Sequence, residues 1–276
     1  MGITASVIEA LKAICPTEHI ATDKGFTIIQ CSSNLYIHLI SLATPLRPEE
    51  LLKLQERYQQ KGKLLVHLWE DVWLSKQSQV LSRIKSFLGL NETFHGRKAK
   101  LIAVKNEQAA QFFNTYHLQG FVKAKYHYGL AIEGEVIAMA SFSESRPMKS
   151  KGSQYTSAEL VRFASKDGYT LTGGLSKLIK HHLKQVRVND LMTYADRDWS
   201  LGKGYDQLGF QLTTVTKPAY LYVEEKTNLR YFPHRLPKTI LSAFDQQKDL
   251  DLDEYLAQLG YAKVFNTGNL KYHLYV

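Results

Sequence analysis

The stretch that most constrains this chain runs from Glu159 to Phe210 and reads ELVRFASKDGYTLTGGLSKLIKHHLKQVRVNDLMTYADRDWSLGKGYDQLGF. Glu159 to Ala164 alternates polar and apolar residues as a half-buried strand does, and Asp190 to Ala195 reads as a second strand. Between them Thr172-Gly173-Gly174-Leu175-Ser176 opens a helix through His182, which makes the segment an α/β unit. Glycine at a helix start lets a ligand come close to the freed backbone amides, an arrangement suited to a pyrophosphate; the same glycines also serve a plain helix entry. The second strand delivers Asp196, Arg197 and Asp198 at its C-terminal end, where open α/β sheets place ligands. An aspartate there acts as a base, orients a nucleophile, or caps the turn into Gly202-Lys203-Gly204.

With 276 residues the chain can bury a substantial core, and two modest domains are expected. A hydrophobic fraction of 44% with 11% aromatics fits a globular protein and excludes a disordered one. No apolar run reaches the length of a membrane span, and Met1 to Pro16 lacks the pattern of a signal peptide, so the expected location is the cytosol. Cys15 and Cys31 have no CxxC context, which argues against a disulfide framework or structural zinc, and no metal is assigned. The net charge of +9 favours a polyanionic partner such as nucleic acid and equally fits a soluble basic surface.

Along residues 1–90 the pattern is a small α/β unit: a helix over Ala5–Ile14, strands over Phe26–Gln30 and Leu35–Leu42, and a proline-opened helix from Arg47 to Gln60. A strand over Lys63–Leu68 and a helix carrying Val80, Ile84 and Phe87 follow. His95 to Lys100 reads as a basic linker, and a second unit starts with a strand over Lys100–Val104 and a helix from Asn106 to Tyr116. Tyr126–Ile132 and Val136–Phe142 form a hairpin, and Ser143–Ser157 is expected to be an exposed, mobile loop. A short helix over Asp253–Leu259 and a strand pair around Thr267-Gly268-Asn269 close the chain.

Gly204-Tyr205 followed by Leu208-Gly209-Phe210 resembles the acetyltransferase superfamily with the GNAT fold, over roughly residues 100–225. The resemblance implies an acyl-CoA donor, a tyrosine that protonates the leaving thiolate, and a Leu-Gly-Phe that ends a helix and starts a strand. The usual Gln/Arg-x-x-Gly-x-Gly/Ala loop is replaced here by Leu171-Thr172-Gly173-Gly174-Leu175-Ser176. Five ordered motifs carry a narrower resemblance: His-Leu-Gln-Gly at 117–120, Glu-Leu-Val-Arg-Phe at 159–163, Gly-Gly-x-Ser-Lys-Leu at 173–178, Tyr-Ala-Asp-Arg-x-Trp-Ser at 194–200, and Gly-Tyr…Gly-Asn-Leu-Lys at 260–271. They are similar to phage and mobile-element proteins labelled Hef-like homing endonucleases, whose C-terminal half is similar to Mom, a phage DNA adenine-modifying family.

That resemblance implies catalytic roles for Asp196, Tyr205 and Arg162, donor binding by Gly173, Gly174, Ser176 and Lys177, and substrate contacts from His117, Gln119 and Tyr194. In such proteins the N-terminal half resembles a Vsr-like PD-(D/E)xK nuclease. Here Phe26 to Leu42 contains no Asp, Glu or Lys, so nuclease activity is not expected; Asp23, Glu70 and Asp71 are the residual acids, the last two suited to a helix start. Arg97, Lys98 and Lys100, the Arg146/Lys149/Lys151 loop, and Arg230 to Arg235 with its aromatics are the residues suited to DNA.

The expected architecture is thus a degenerate nuclease-like α/β domain at 1–95, a GNAT-like mixed-sheet α/β domain at 96–235, and an extension at 236–276 packing on the second. The expected function is acyl transfer to a DNA base amine, reached by base flipping. A non-catalytic DNA-binding protein with decayed sites, and an acyltransferase for a protein or small amine, are the alternatives.

Overall fold

A computed structural model describes residues 3–15, 19–23, 25–246 and 250–276. The chain begins with α1 (Ile3–Lys12), β1 (His19–Asp23), β2 (Phe26–Gln30), β3 (Leu35–Ile40), α2 (Pro48–Gln60), β4 (Leu64–Trp69) and α3 (Glu70–Phe87). It continues through β5 (Glu92–His95), β6 (Lys100–Ala103), α4 (Asn106–Tyr116), β7 (Tyr126–Ile132), β8 (Glu135–Phe142), β9 (Arg146–Pro147), β10 (Thr156–Ser165), β11 (Tyr169–Thr172), α5 (Gly174–Gln185) and β12 (Asp190–Asp196). Then come α6 (Lys203–Gln207), β13 (Gln211–Val215), β14 (Tyr220–Glu224), β15 (Leu229–Tyr231), α7 (Lys238–Phe244), α8 (Leu252–Gln258), β16 (Tyr261–Phe265) and β17 (Asn269–Tyr275).

Two compact units emerge. The first comprises 1–77, 196–201 and 216–269; the second comprises 78–195, 202–215 and 270–276. This division differs from the cuts expected at 95/96 and 235/236. Residues 78–95 belong to the second unit, following a non-helical Lys76 (φ −137°) inside α3, and 216–269 belong to the first.

In the first unit β1, β2 and β3 are antiparallel neighbours, and β4 joins β3 in parallel over six residue pairs after the crossover helix α2. Proline in the first turn of α2, acids Glu49 and Glu50 beside it and Arg57 in the last turn all match the needs of the helix ends. Ile40, Leu51 and Trp69 share a core cluster with Leu221, Val223, Val264 and Phe265 of the second sheet, β15-β14-β16. Apolar burial of this kind contributes roughly 1.5–3 kcal/mol per large side chain.

Polar groups are buried there too. Asp71, 1% exposed, accepts Arg230 Nε at 2.6 Å and Nη2 at 3.0 Å, so it is tied into an ion pair. Arg230, expected on a DNA-facing surface, is committed to this pair; Glu70 accepts the Ser41 hydroxyl and the Leu42 amide. The side chain of Asp23 lies outside the described residues.

The second unit holds the large mixed sheet, in the order β13-β17-β12-β10-β8-β7-β6, with β9 paired to β10. α5 packs on one face through Leu178 and Ile179 against Ala138, Ala140 and Phe142, while α4 packs on the other through Phe112 and Phe113 against Met139 and Ala164. β10 and β12 are parallel, joined by the α5 crossover. Two expectations are corrected here. Ser143–Ser157, expected as an exposed, mobile loop, is largely exposed but contains a strand: β9 pairs with β10, and Lys151 and Tyr155 bond Asp190. The strands flanking Thr267–Asn269 do not pair with each other: β16 pairs with β14, and β17 with β13. The linker at 95–100 is preceded by β5, which pairs in parallel only with β11, a four-residue ladder too short to show alternation.

Candidate active site

The parallel strands β10 and β12 are clamped at their start and part further along. Asp190, fully buried, accepts the Tyr155 hydroxyl at 2.6 Å, Lys151 Nζ at 3.0 Å and the Ser157 hydroxyl, with His273 Nδ1 at 3.3 Å. Burial opposes its charge, but these hydrogen bonds prevail and hold its carboxyl below the ordinary carboxylate value. Pairing then runs through Ser157↔Asp190, Ala158↔Leu191 and Glu159↔Met192. Beyond that point the Thr193 hydroxyl reaches the Leu160 carbonyl at 3.0 Å, β10 continues to Ser165 and β12 to Asp196. The opening therefore lies toward the C-terminal ends of a parallel pair, where α/β sheets receive ligands.

A bulge in β10 decides which side chains face this opening. Leu160 pairs with Phe142 but Arg162 pairs with Ser141, so Val161 is an extra residue against β8. Alternation would send Glu159 and Arg162 to opposite faces; the extra residue returns both to the α4 face. Arg146, opposite Ser157 in the β9 ladder, shares that face, as does Tyr194, two residues beyond Met192. Lys271 Nζ lies 5.9 Å from the centre of the Tyr194 ring.

Glu159 is half-buried, and burial raises its pKa against the pull of Arg162, Arg146 and Lys271. Burial and the Glu159 charge raise Tyr194 in turn. Arg162 Nε donates to the Gly120 carbonyl at 3.1 Å. His117, at the end of α4, accepts the Gln119 amide on Nδ1 at 3.1 Å; burial, with Arg162 and Arg83 adding repulsion, lowers it to about 3. Neutral His117 is thus an acceptor in the turn that Arg162 braces. Gln119 is exposed.

At the start of α5, Gly173 has φ +74° and Gly174 is buried against Leu171. The Gly96 backbone packs so closely that a β-carbon there would lie 2.9 Å from the Gly174 nitrogen. Lys177 Nζ donates to the Gly96 and Ala99 carbonyls at 3.1 and 2.7 Å, which fixes the turn and leaves Arg97 and Lys98 exposed at its tip. Lys177 is therefore a brace of the turn, while Ser176 is half-buried in the first helical turn. The amides of a helix start beside two exposed cations have the chemistry to hold a diphosphate.

Tyr205 sits on α6 with its ring centre 5.5 Å from those of both Phe210 and Tyr272. Leu208 follows α6, Gly209 turns with φ +85°, and β13 starts at Gln211. Asp196 belongs to the first unit, where its Oδ1 accepts the Asp198 amide at 3.0 Å. Asp198 is buried and accepts the Thr267 amide and hydroxyl, at 3.0 and 2.6 Å. The structure so brings together Arg162 with His117, Tyr194 with Glu159, and Gly173 and Gly174 with Ser176 and Lys177. Glu159 and Lys271 were missed as site residues in the sequence; the available signal was an acid inside an alternating strand, three residues before an arginine. Among the described residues no group of three or more His, Cys, Asp or Glu gathers as a metal site, and no helix is long and apolar enough to cross a membrane.

No protein-family model matches the sequence, and no curated protein matches it. Among solved structures the chain is similar to a GNAT family acetyltransferase from Elizabethkingia anophelis with acetyl-CoA bound, at 9% identity over 65% of this chain and 99% of that one, TM-score 0.38. It is also similar to a Bacillus subtilis acetyltransferase in complex with CoA, at 10% identity over 65% and 99%, TM-score 0.37. A third is an IAA acetyltransferase from Bacillus cereus, at 12% identity over 64% and 99%, TM-score 0.35.

Proposed function

We propose that the second unit is an acetyltransferase-like domain that transfers an acyl group from a coenzyme A thioester to an amine. The single observation that carries this reading is the opening between β10 and β12, with Glu159 at its edge and the bulge immediately after it. Strand edges that part in this way offer backbone amides and carbonyls to an extended, amide-bearing ligand, as in strand addition. The turn from Leu208 to Phe210, which closes α6 and begins β13, fits the feature that the resemblance attached to this fold.

The residues present fit such a donor. The α5 start with Arg97 and Lys98 would hold its diphosphate, and bound there the donor supplies an acyl carbon activated by a thiol leaving group. Glu159 accepts the proton of the incoming amine, directly or through one water; its raised pKa brings it nearer to the operating pH, which favours general base work. His117, held neutral, and Arg162 shape the acceptor side. Tyr205 is the acid assigned to the leaving thiolate.

Acyl transfer to a DNA base is a second, finer reading, from the resemblance to Mom-like proteins. Two of the basic clusters offered for it contain residues already engaged: Arg230 with Asp71 and Lys151 with Asp190. A small or peptide amine fits the site equally well, and a flipped base is not required. The test is CoA binding: a thermal upshift with CoA, reduced by Arg97→Ala/Lys98→Ala, supports the reading, and no shift at millimolar CoA contradicts it.

A further inference from the structure

We infer that the amine acceptor carries an anionic group of its own, and that Arg146 and Lys271 on the α4 face of the second unit bind that group beside Glu159, with Arg162 adding positive charge to the same face. This rests on the acyl-transfer reading above and names its substrate class.

Three strands supply the three cations. Arg146 comes from β9, held opposite Ser157; Lys271 comes from β17, over the Tyr194 ring; Arg162 comes from β10, returned to this face by the Val161 bulge, and gives its Nε and Nη1 to the Gly120 and Val161 carbonyls. Between them stands one half-buried carboxylate, Glu159. Asp190, the other acid on this side, is already matched by Lys151 and hydrogen-bonded by Tyr155 and Ser157.

An amine arrives at neutral pH as an ammonium ion. Three cations around one carboxylate would repel a purely cationic acceptor and give nothing to a neutral one. They suit a molecule that brings an anion a few bonds from its amine, so that the anion meets Arg146 and Lys271 while the ammonium meets Glu159. The general base and the anchor are then satisfied by the two ends of one small molecule. The chemistry shared by candidate acceptors is an amine beside a carboxylate or phosphate: a free amino acid or an aminoalkyl phosphate. Tyr194, 39% exposed, offers a ring face against which its carbon skeleton can lie.

The experiment compares matched pairs, with acetyl-CoA as donor and thiol release as the readout: free amino acids against their α-amides, and phosphoethanolamine against ethanolamine. The expected result is a kcat/KM at least tenfold higher for the anion-bearing member of a pair. Arg146→Gln/Lys271→Gln, made at side chains that touch solvent, should remove that advantage, read as the ratio of kcat/KM between the two members of each pair. Calorimetry with free amino acids and their amides in the presence of CoA gives the same comparison without turnover. Equal or better use of the members lacking the anion, no binding of either kind, or displacement of the anion-bearing members by a single-stranded oligonucleotide at lower concentration overturns the inference. If CoA fails to bind while anion-bearing amines are still selected in the calorimeter, the donor reading falls and the anion site stands; if CoA binds and no selection appears, the reverse holds.

Discussion

Glu159 and Arg162 stand three residues apart on one strand and yet face the same side of the sheet, because Val161 is an extra residue in the ladder against β8. That single irregularity places a base and a guanidinium together at the point where β10 leaves β12. Deleting Val161 restores regular alternation and turns every later residue of β10 over. Ala164, now in the α4 core, would move with it, so the deletion is expected to unfold the second unit; Val161→Ala, which keeps the count, should leave the fold intact. Circular dichroism melts of the two variants check this.

In the first unit, the Asp71–Arg230 pair is bidentate, with Asp71 buried and Arg230 a quarter exposed. Replacing one partner strands a charge, so Arg230→Met should cost about 3–5 kcal/mol, and adding Asp71→Leu should recover most of the loss. All three tryptophans, Trp69, Trp73 and Trp199, lie in this unit, so urea melts followed by tryptophan fluorescence report on it.

Stability of that unit should depend on pH through groups of opposite sign. His38 and His67 are buried with their Nδ1 atoms 3.0 Å apart, and burial lowers His38 to about 4 and His67 well below its ordinary value. An unfolded imidazole titrates near 6.5, so between about 4 and 6.5 the unfolded chain binds more protons; stability rises with pH across that window and is complete above it. Asp198, pushed up to about 7 by burial and by Asp196, acts in reverse: the folded state holds its proton, and stability falls as pH rises from about 4 to 7. Asp198→Asn should therefore steepen the gain in urea midpoint between pH 4.5 and 6.5. A flatter profile would contradict the assignment.

Gly202 has φ +78°, and a β-carbon there would run into the Tyr272 hydroxyl. Gly202→Ala should destabilise the second unit by about 1–3 kcal/mol, the cost of left-handed strain and overpacking. Gly204→Ala, with nothing within 4 Å of its β-carbon, should be neutral or stabilising. Hydrogen exchange at β17 amides separates the two.

The order strand, glycine-opened helix, strand was legible because period and punctuation are local, and α2 and α4 were legible for the same reason. The bulge was not, since a shift in ladder register depends on which strand lies alongside, twenty residues away in the chain. Arg230 looked like a surface cation because its partner, Asp71, is 159 residues distant. β16 and β17 looked like a hairpin around Gly268; each instead completes a different sheet, a choice made by β14 and β13 rather than by the turn. Glu159 was legible as a strand residue but not as a base, because its burial is supplied by neighbours on other strands.

The most direct measurement is amine-dependent thiol release from acetyl-CoA by the wild-type chain and by Glu159→Gln, with CoA thermal shift recorded for both. The expected result is release that rises with pH as Glu159 ionises, a fall of about 10²–10⁴-fold in kcat on substitution, and an unchanged CoA shift. Equal release by the two proteins, or no release and no CoA shift in the wild type, would contradict acyl transfer at the β10–β12 opening.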